Sequence, residues 1–411
     1  MKRKVNVMHI LNRLSDLYDR LDRKKLWILW TANILWVVLL FSYLCCLDSS
    51  AAWEENILEL AALDCTSAVL MEAATGRVLY EQNADEPLPP ASVTKVMTLL
   101  LVMEALEKGN ITLDQMLTTS DNAASMGGSQ IFLEVGEQMS VEDLLKSVII
   151  SSANDAAVVL AEAIAGSEES FVAMMNSRAA ELGMKNTHFE NTNGLDDTVT
   201  DHVTSARDIA IMSRVLIAHE KILEYSSIWM DTVRNGEFGL TNTNRLVRFY
   251  SGATGLKTGS TSKAKFCISA TAKRDGMHLI AVIMGAPTRD IRNAEATKLL
   301  DWGFANYSLY TYPPSDQGSV KLLGSKNDAL PCRTEGISFL VPKGASSKVT
   351  VETEIPESVR APIAAGEAVG KLAFSLNGEQ IAEANIVSSV TESRVSFREL
   401  IIIMLQRFIL W

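Results

Sequence analysis

The sequence predicts a two-layer α/β (α+β) domain with an antiparallel sheet and a helical subdomain, followed by a small all-β domain. Strand-like segments at 66–81 and 255–285 enclose a middle region with helical spacing, so both ends of the first domain supply its sheet. From Tyr307 the composition changes to short alternating segments between glycine and proline turns, which is typical of all-β folds. We expect the larger domain at 53–306 and the all-β domain at 307–394.

The N-terminal region has the layout of an export signal. Leu26–Leu47 is almost uncharged and apolar; a basic segment precedes it, and small residues ending at Ala52 follow it. Residues 1–52 are therefore either a cleaved signal peptide or an uncleaved membrane segment, and both place the body outside the cytoplasm. The formal net charge of the 411-residue chain is −11 although its first 25 residues are basic, so its acidic body argues against nucleic-acid binding.

Within the first domain, each element has a local signal. Ser92 opens a helix that is apolar almost all round and ends at Gly109, which indicates a helix buried in the domain. Ser140 resembles the first residue of a capping box. The remaining predictions are strands at 66–71 and 77–81, helices after Ser140, Asn154 and Ser205, a hairpin at 265–285 and a closing helix at Asn293–Asn306.

The tail, residues 395–411, is apolar again. As a helix, Leu400–Trp411 would be about 18 Å long, too short for a bilayer core of about 30 Å. The arginines at 394, 398 and 407 suit an amphipathic helix lying in the membrane interface. The alternative is a helix that packs on the β domain.

Three short motifs carry the chemistry. In Ser92-Val93-Thr94-Lys95, the i and i+3 side chains share a helix face, and a desolvated lysine can act as general base for the Ser92 nucleophile. In Ser152-Ala153-Asn154, between two helices, Ser152 can relay a proton and Asn154 can hold Lys95 or a substrate amide.

The third motif, Lys257-Thr258-Gly259, is expected at the start of a strand. Gly259 would let a substrate approach the backbone, while Lys257, Thr258 and Ser260 suit a carboxylate and a developing oxyanion. Taken singly, each motif is more commonly structural: a capped helix with a lysine, a helix cap, or a surface strand lysine. Together and in this order they predict one site.

Other chemistries have little support. The five histidines form no metal-binding pair, and we interpret His188 and His202 as structural. There is no phosphate loop and no dinucleotide motif, so we expect neither a metal nor a cofactor. The five cysteines (Cys45, Cys46, Cys65, Cys267 and Cys332) suggest no disulfide framework. Cys267 is interpreted as a small apolar strand residue and not as a nucleophile.

The motif set is known from β-lactamases and penicillin-binding proteins. The region from Ala68 to Asn306, including AVLMEAATGRVLYEQNADEPLPPASVTKVMT and GLKTGSTSKAKFCISATAKRDGMHLIAVIMG, resembles the serine-type D-alanyl-D-alanine carboxypeptidases (low-molecular-mass penicillin-binding proteins, peptidase S11-like). The resemblance implies a transpeptidase-like fold and removal of the terminal D-alanine from peptidoglycan stem peptides. It also implies acylation by β-lactams, attachment to the outer face of the cytoplasmic membrane, and a branch associated with sporulation.

The chain departs from that family at two positions. Members usually have an aromatic residue or histidine where this chain has Ser260, and glycine where it has Lys265. Both are expected to lie on the strand that borders the substrate, so peptide preference stays open. Three alternatives remain: a class A-like β-lactamase with Glu190 activating water, a D,D-endopeptidase, and a catalytically silent wall-binding or scaffolding protein.

Overall fold

The computed structural model describes residues 60–197 and 199–409. The predicted signal peptide or membrane segment, residues 1–52, therefore lies outside the described residues. The described residues belong to one compact unit, within which the elements below are described.

The central sheet of the first domain is antiparallel and has five strands in the order β2-β1-β9-β8-β7. Its two halves come from opposite ends of the domain, as the sequence predicts. The strands are β1 Ser67–Glu72, β2 Val78–Gln82, β7 Ala253–Thr261, β8 Lys265–Arg274 and β9 Met277–Ala286; two small hairpins pair β3 Met116–Thr118 with β4 Gln138–Ser140, and β5 Met230–Val233 with β6 Phe238–Thr241.

The middle of the domain is helical, as predicted. The helices are α1 Lys95–Glu107, α2 Asp121–Ala124, α3 Val141–Ile150, α4 Asn154–Ala165, α5 Glu168–Glu181, α6 Ala206–Ala218, α7 Glu220–Ser226, α8 Leu246–Phe249 and α9 Arg289–Asn306, with 3-10 turns at Ala91–Thr94 and Arg234–Gly236. Serine hydroxyls at 140 and 205 accept hydrogen bonds from the third residue beyond them, which confirms both predicted helix starts. Helix α1 is buried along nearly its whole length.

Three local expectations were wrong in detail. Ser92 lies in the 3-10 turn before α1 rather than opening the α-helix itself. Lys257 lies in the middle of β7 and not at its start. Helix α9 begins four residues before Asn293, because the Thr288 hydroxyl accepts a hydrogen bond from the backbone N–H of Ile291 and caps the helix there.

The sheet is covered on both faces, so the two-layer expectation was incomplete. Helix α6 packs on β1 and β9 from one side, where Val69 and Ile280 join the main hydrophobic core. Helix α9 packs on the other side, where Gly303 lies against Leu70 and Leu279. Because successive strand residues point to opposite faces, every residue of β1 is buried.

The region after α9 is all-β, as predicted. Its strands form a two-stranded sheet, β10-β13, and a six-stranded sheet in the order β14-β16-β17-β12-β11-β15. They are β10 Tyr307–Tyr312, β11 Ser315–Leu323, β12 Ala329–Thr334, β13 Ile337–Pro342, β14 Val349–Glu354, β15 Ser358–Arg360, β16 Ala368–Leu376 and β17 Glu379–Ser388, with a 3-10 turn at Ser346–Lys348. The rings of Tyr310, Phe339 and Phe374 pack together between the two sheets.

The last element is helix α10, Phe397–Ile409. An ion pair of 2.6 Å between Lys326 and Glu399 ties its first turn to the β domain. Its apolar side chains are largely exposed: Phe397, Leu400, Ile401, Ile402, Met404 and Leu405. The alternative in which this apolar set packs on the β domain is therefore not observed. Among the described residues, no helix is long and apolar enough to cross a bilayer.

Candidate active site

Ser92 and Lys95 meet as their spacing predicts. The 3-10 turn Ala91–Thr94 runs directly into α1, so the two side chains lie one turn apart, and Lys95 Nζ lies 3.0 Å from Ser92 Oγ. Lys95 has no solvent exposure, because α1 passes through the hydrophobic core. The motif therefore forms a serine–lysine pair inside the domain.

The surroundings of Lys95 favour its neutral form. Burial, and secondly the positive charge of Lys257, hold the pKa of Lys95 far below the usual range for a lysine. Two further oxygens contact its amine: Asn154 Oδ1 at 2.5 Å and the carbonyl oxygen of Asn193 at 2.8 Å. Both can only accept hydrogen bonds, so in its neutral form the amine would donate its two hydrogens to them and keep its lone pair for the Ser92 hydroxyl.

The orientation of the Asn154 amide is determined by its second contact. Asn154 Nδ2 donates to the carbonyl oxygen of Gly127 at 2.6 Å, so Oδ1 faces Lys95. The residue lies at the first position of α4, and its backbone N–H donates to the carbonyl oxygen of Ser129. Asn154 therefore joins the lysine to the loop around residues 127–129.

Ser152 lies at the junction of α3 and α4, as predicted, and contacts Lys257. Its backbone is left-handed, with φ of +65°, which is uncommon for a residue with a Cβ. Its Oγ accepts a hydrogen bond of 2.9 Å from Lys257 Nζ. Burial, together with the charge of Arg292, lowers the pKa of Lys257 to about 7. This pair thus links the second motif to the third.

The third motif borders the first through Gly259. A Cβ at Gly259 would lie 2.8 Å from the backbone nitrogen of Ser92 and 2.8 Å from the carbonyl oxygen of Pro90. The structure thus gives a reason for this glycine other than the expected approach of a substrate: β7 packs directly on the turn that carries Ser92. Thr258 Oγ1 donates to Thr243 Oγ1 at 2.8 Å.

A cleft of about 690 Å³ runs over these residues, and all three motifs reach it. The predicted residues Ser92, Ser152, Thr258, Gly259 and Ser260 line it, while Lys95, Asn154 and Lys257 are buried beneath and beside it. The cleft is also lined by residues that the sequence interpretation did not single out: Ser129, Trp229, Thr241, Asn242, Thr243, Arg245, Arg248, Phe249, Arg289 and Arg292.

The carbonyl of Asn193 was also missed. Gly194, whose φ is +83°, lets this segment approach the Ser92 turn, since a Cβ there would lie 1.9 Å from the carbonyl oxygen of Ala91. Backbone carbonyls carry no signature of their own in a sequence. The dipeptide Asn-Gly, a common turn signal, does indicate that the chain bends here.

Lys265 does not line the cleft, contrary to expectation. It is the first residue of β8, paired with Thr261 across the hairpin, and its φ is +56°. Glycine adopts this backbone conformation without steric penalty, which explains the glycine of the resembling family in structural terms. Ser260, in contrast, does line the cleft.

The water-activating role considered for Glu190 is not supported. Its carboxylate accepts hydrogen bonds from the backbone N–H groups of Thr200 and Asp201, and Glu190 does not line the cleft. His202 is structural, as interpreted: it accepts from the N–H of Glu190 and contacts Thr94 Oγ1 at 2.7 Å, and burial lowers its pKa to about 4.

The exposed His188 contacts the carbonyl oxygen of Asp201. In the described part of the chain no group of His, Cys, Asp and Glu side chains has a metal-binding arrangement. The three cysteines in that part, Cys65, Cys267 and Cys332, are free thiols. Cys267 is fully buried in β8, and burial raises its thiol pKa to about 11, which confirms that it is an apolar strand residue.

This fold, with a cleft serine paired to a buried lysine beside an asparagine and a lysine-bearing edge strand, defines a serine hydrolase of the penicillin-binding class. Residues 54–288 match the model of the D-alanyl-D-alanine carboxypeptidase family, and residues 319–394 match that of the penicillin-binding protein 5 C-terminal domain. The chain belongs to the D-alanyl-D-alanine carboxypeptidase family.

Individual relatives agree with the family match. The chain is 44% identical to D-alanyl-D-alanine carboxypeptidase DacF of Bacillus subtilis over 82% of this chain and 88% of that protein. Penicillin-binding protein 5 of Haemophilus influenzae superposes with a TM-score of 0.73 at 32% identity, over 82% of this chain and all of that one. Penicillin-binding protein D2 of Listeria monocytogenes, in its ampicillin-bound form, has a TM-score of 0.55 at 33% identity over 60% of this chain and all of that one.

Proposed function

We propose that this protein removes the terminal D-alanine from peptidoglycan stem peptides through an acyl-enzyme on Ser92. The observation that carries the proposal is the position of Lys95: fully buried, 3.0 Å from Ser92 Oγ, and held by two oxygens that can only accept hydrogen bonds. A neutral amine there has its lone pair directed at the hydroxyl, which is the arrangement that a weak nucleophile needs for activation.

Acylation begins when Lys95 takes the proton of Ser92 and Ser92 Oγ attacks the carbonyl carbon between the two D-alanines. The charge that develops on the carbonyl oxygen is stabilised by backbone N–H groups of Ser92 and Ser260, which belong to the two segments in contact at Gly259. The substrate backbone aligns along β7, which is an edge strand of the sheet and therefore has free hydrogen-bonding groups.

The leaving D-alanine is handled by the second and third motifs. Ser152 Oγ accepts from Lys257, which leaves its own proton free to pass to the departing amine. Lys257, Thr258, Ser260 and the buried Arg292 supply the positive charge and donors that hold the terminal carboxylate. Water then releases the acyl-enzyme. A β-lactam acylates Ser92 by the same first step, a proposal that the ampicillin-bound relative supports.

The test is intact mass spectrometry after exposure to penicillin, with the adduct mapped to a peptide. The wild type should gain the mass of one penicillin on Ser92, and Ser92→Ala should gain none while keeping its circular dichroism spectrum. Ser125→Ala, which changes an exposed serine outside the cleft, should still be acylated. An adduct that persists in Ser92→Ala would refute the proposed nucleophile.

Product analysis on muropeptides identifies the reaction. Free D-alanine released from pentapeptides is the expected product of a carboxypeptidase. Cleavage of cross-links without free D-alanine would instead assign an endopeptidase, and rapid release of hydrolysed penicillin would assign a β-lactamase. Absence of labelling in the wild type would favour a catalytically silent wall protein.

We also propose that the enzyme works outside the cytoplasm on the outer face of the cytoplasmic membrane, with α10 lying in the interface. Exposed apolar residues along a 13-residue helix support this, because an apolar helix face needs a partner. The protein without residues 1–52 should co-sediment with vesicles of phosphatidylglycerol and phosphatidylethanolamine, and replacing Met404 and Leu405 with glutamate should abolish that co-sedimentation. Binding that survives this change would contradict the proposal.

We further propose a role in sporulation, and this proposal rests on the sequence resemblance alone. Its test is the timing of expression in the source organism: transcript and protein should rise when spores form. Steady expression during vegetative growth alone would assign the enzyme to ordinary wall maintenance.

A further inference from the structure

The cleft is strongly cationic. Arg245, Arg248, Arg289 and Arg292 line it, and no acidic side chain of the described residues does. Burial and the positive charges of Arg289 and Arg245 lower the pKa of Arg292 to about 10, so the charges of these three arginines act on one another. A site with this much unbalanced positive charge favours an anionic ligand.

One terminal carboxylate does not account for all of these charges. Lys257 and Arg292, both buried, already lie beside Thr258 at the reacting end. Arg245 and Arg248 lie on the segment that leads into and forms α8, and both are exposed. Within residues 60–197 and 199–409, no ion pair or side-chain hydrogen bond involves either guanidinium.

Aromatic rings hold Arg248 in place. Its guanidinium carbon lies 5.5 Å from the centroid of Trp229 and 5.6 Å from that of Phe249, and the two rings meet edge to face at 6.3 Å. Stacking of this kind orients a planar guanidinium while leaving its N–H fork free for a carboxylate. Phe249 is itself 74% exposed, although it lines the cleft, so a ligand bound at Arg248 would cover apolar surface as well.

We propose that Arg245 and Arg248, with Trp229 and Phe249, form a subsite for a second carboxylate of the substrate peptide, on the N-terminal side of its D-Ala-D-Ala end. This inference rests on the proposed function. Two groups of a stem peptide have this chemistry: the α-carboxylate of its γ-linked D-glutamate, and the extra carboxylate of a diaminopimelate residue. A cleft of about 690 Å³ is of the size that holds ligands of several residues.

Four pentapeptides separate the two sources. They combine either D-glutamate or D-isoglutamine at the second position with either diaminopimelate or lysine at the third, so that each carboxylate is present or absent independently. We expect kcat/KM for the peptide with both carboxylates to exceed that for the peptide with neither by roughly tenfold, mostly through KM and more weakly at high salt. The two peptides that carry only one of these two carboxylates show which of them is recognised.

The variant Arg245→Gln/Arg248→Gln should bring this ratio to within about twofold of unity, since it removes both exposed charges. Arg360→Gln, an exposed arginine of the β domain, should leave the ratio as in the wild type. A wild-type ratio near unity, or a ratio that survives the double substitution, would overturn the proposed subsite.

Binding to Ser92→Ala separates this inference from the reaction itself. If no D-alanine is released and no penicillin adduct forms in the wild type, the proposed function fails. Titration calorimetry of the four peptides against Ser92→Ala still decides the subsite, which predicts a roughly tenfold preference in Kd for the doubly charged peptide and its loss in Ser92→Ala/Arg245→Gln/Arg248→Gln. Equal Kd values would refute the subsite even where the carboxypeptidase reaction is intact.

Discussion

The reactivity of Ser92 depends on whether the amine of Lys95 is charged or neutral. Lys95 has two neighbours that can accept but not donate, Asn154 Oδ1 and the carbonyl oxygen of Asn193, and neither carries a charge. Neutral acceptors satisfy a buried amine without the strong stabilisation of its charged form that a carboxylate would provide. Burial then dominates, and the pKa of Lys95 falls.

Asn154→Asp tests this balance. A carboxylate beside Lys95 favours its charged form, so the pKa of Lys95 should rise and the ascending limb of the acylation rate should move to higher pH. Asn154→Ala removes the acceptor without adding charge and should slow acylation without that upward shift. Stopped-flow measurement of acylation by a chromogenic β-lactam across pH gives the pH dependence for both variants. If the ascending limb in Asn154→Asp lies at the same pH as in the wild type, the proposed role of Lys95 is contradicted.

Lys257 should determine the pH at which kcat/KM falls on the alkaline side. Its pKa is about 7, so as pH rises through that value it loses the charge that holds the substrate carboxylate, and kcat/KM should fall. In Lys257→Arg the guanidinium stays protonated, so the descending limb should disappear from the range up to about pH 10. A descending limb that remains in the same place in this variant would show that another group causes it.

At the scale of elements, the site depends on the contact between β7 and the 3-10 turn Ala91–Thr94. The nucleophile lies on the turn and the predicted carboxylate-binding residues lie on the strand, and Gly259 allows the two backbones to touch. Because both segments are backbone at the point of contact, neither can yield by rotating a side chain.

Gly259→Ala should therefore separate the two elements. The added methyl group would lie 2.8 Å from Ser92 N and 2.9 Å from Val93 N, and overpacking of this kind typically reduces the free energy of unfolding by about 1–3 kcal/mol. We expect a lower Tm by calorimetry and at least tenfold slower acylation.

Gly239→Ala provides the matched control. This strand glycine has nothing within 4 Å of the added Cβ, so the change in unfolding free energy should stay within about 0.5 kcal/mol. Normal acylation and Tm in Gly259→Ala would contradict the proposed importance of the contact.

At the scale of the whole molecule, the catalytic machinery lies within the first domain. Every residue that lines the cleft lies between Ser92 and Arg292, and the main hydrophobic core contains no described residue beyond Met284. The described contacts to the β domain include an edge-to-face contact of Trp302 with Tyr307, a backbone hydrogen bond of 2.9 Å from the Lys343 N–H to the carbonyl oxygen of Asn306, and an ion pair of 3.5 Å between Lys343 and the exposed Asp275. The domain boundary predicted at 306/307 thus remains a proposal that can be tested directly.

A fragment of residues 60–306 should fold and be acylated by penicillin. Because its core and cleft are complete, we expect its acylation rate constant to stay within about twofold of that of the full chain. Circular dichroism and intact mass spectrometry measure the two properties. A fragment that does not fold, or that folds without reacting, would show that the β domain supports the site.

Much of this architecture could be predicted from local patterns. The i, i+3 spacing of Ser92 and Lys95 is sufficient to bring them together once the turn is helical, and the serines at 140 and 205 cap helices through contacts with residues three positions away. The residues missed were those whose partners are distant in sequence. Arg245 and Arg248 have no sequence neighbours that identify a ligand site; they become notable because Trp229 and the cleft lie beside them.

The sequence by itself determined which chemistry the chain carries: a serine with a lysine one helical turn away, a second serine with an asparagine, and a lysine on a strand. These are short-range patterns, governed by helix and strand periodicity and by capping hydrogen bonds. The tertiary structure alone decided the protonation of Lys95, the reason for Gly259 and the cationic end of the cleft. Each depends on burial or on contact between segments far apart in the chain, and a pKa or a close approach of two backbones exists only once those segments are packed together.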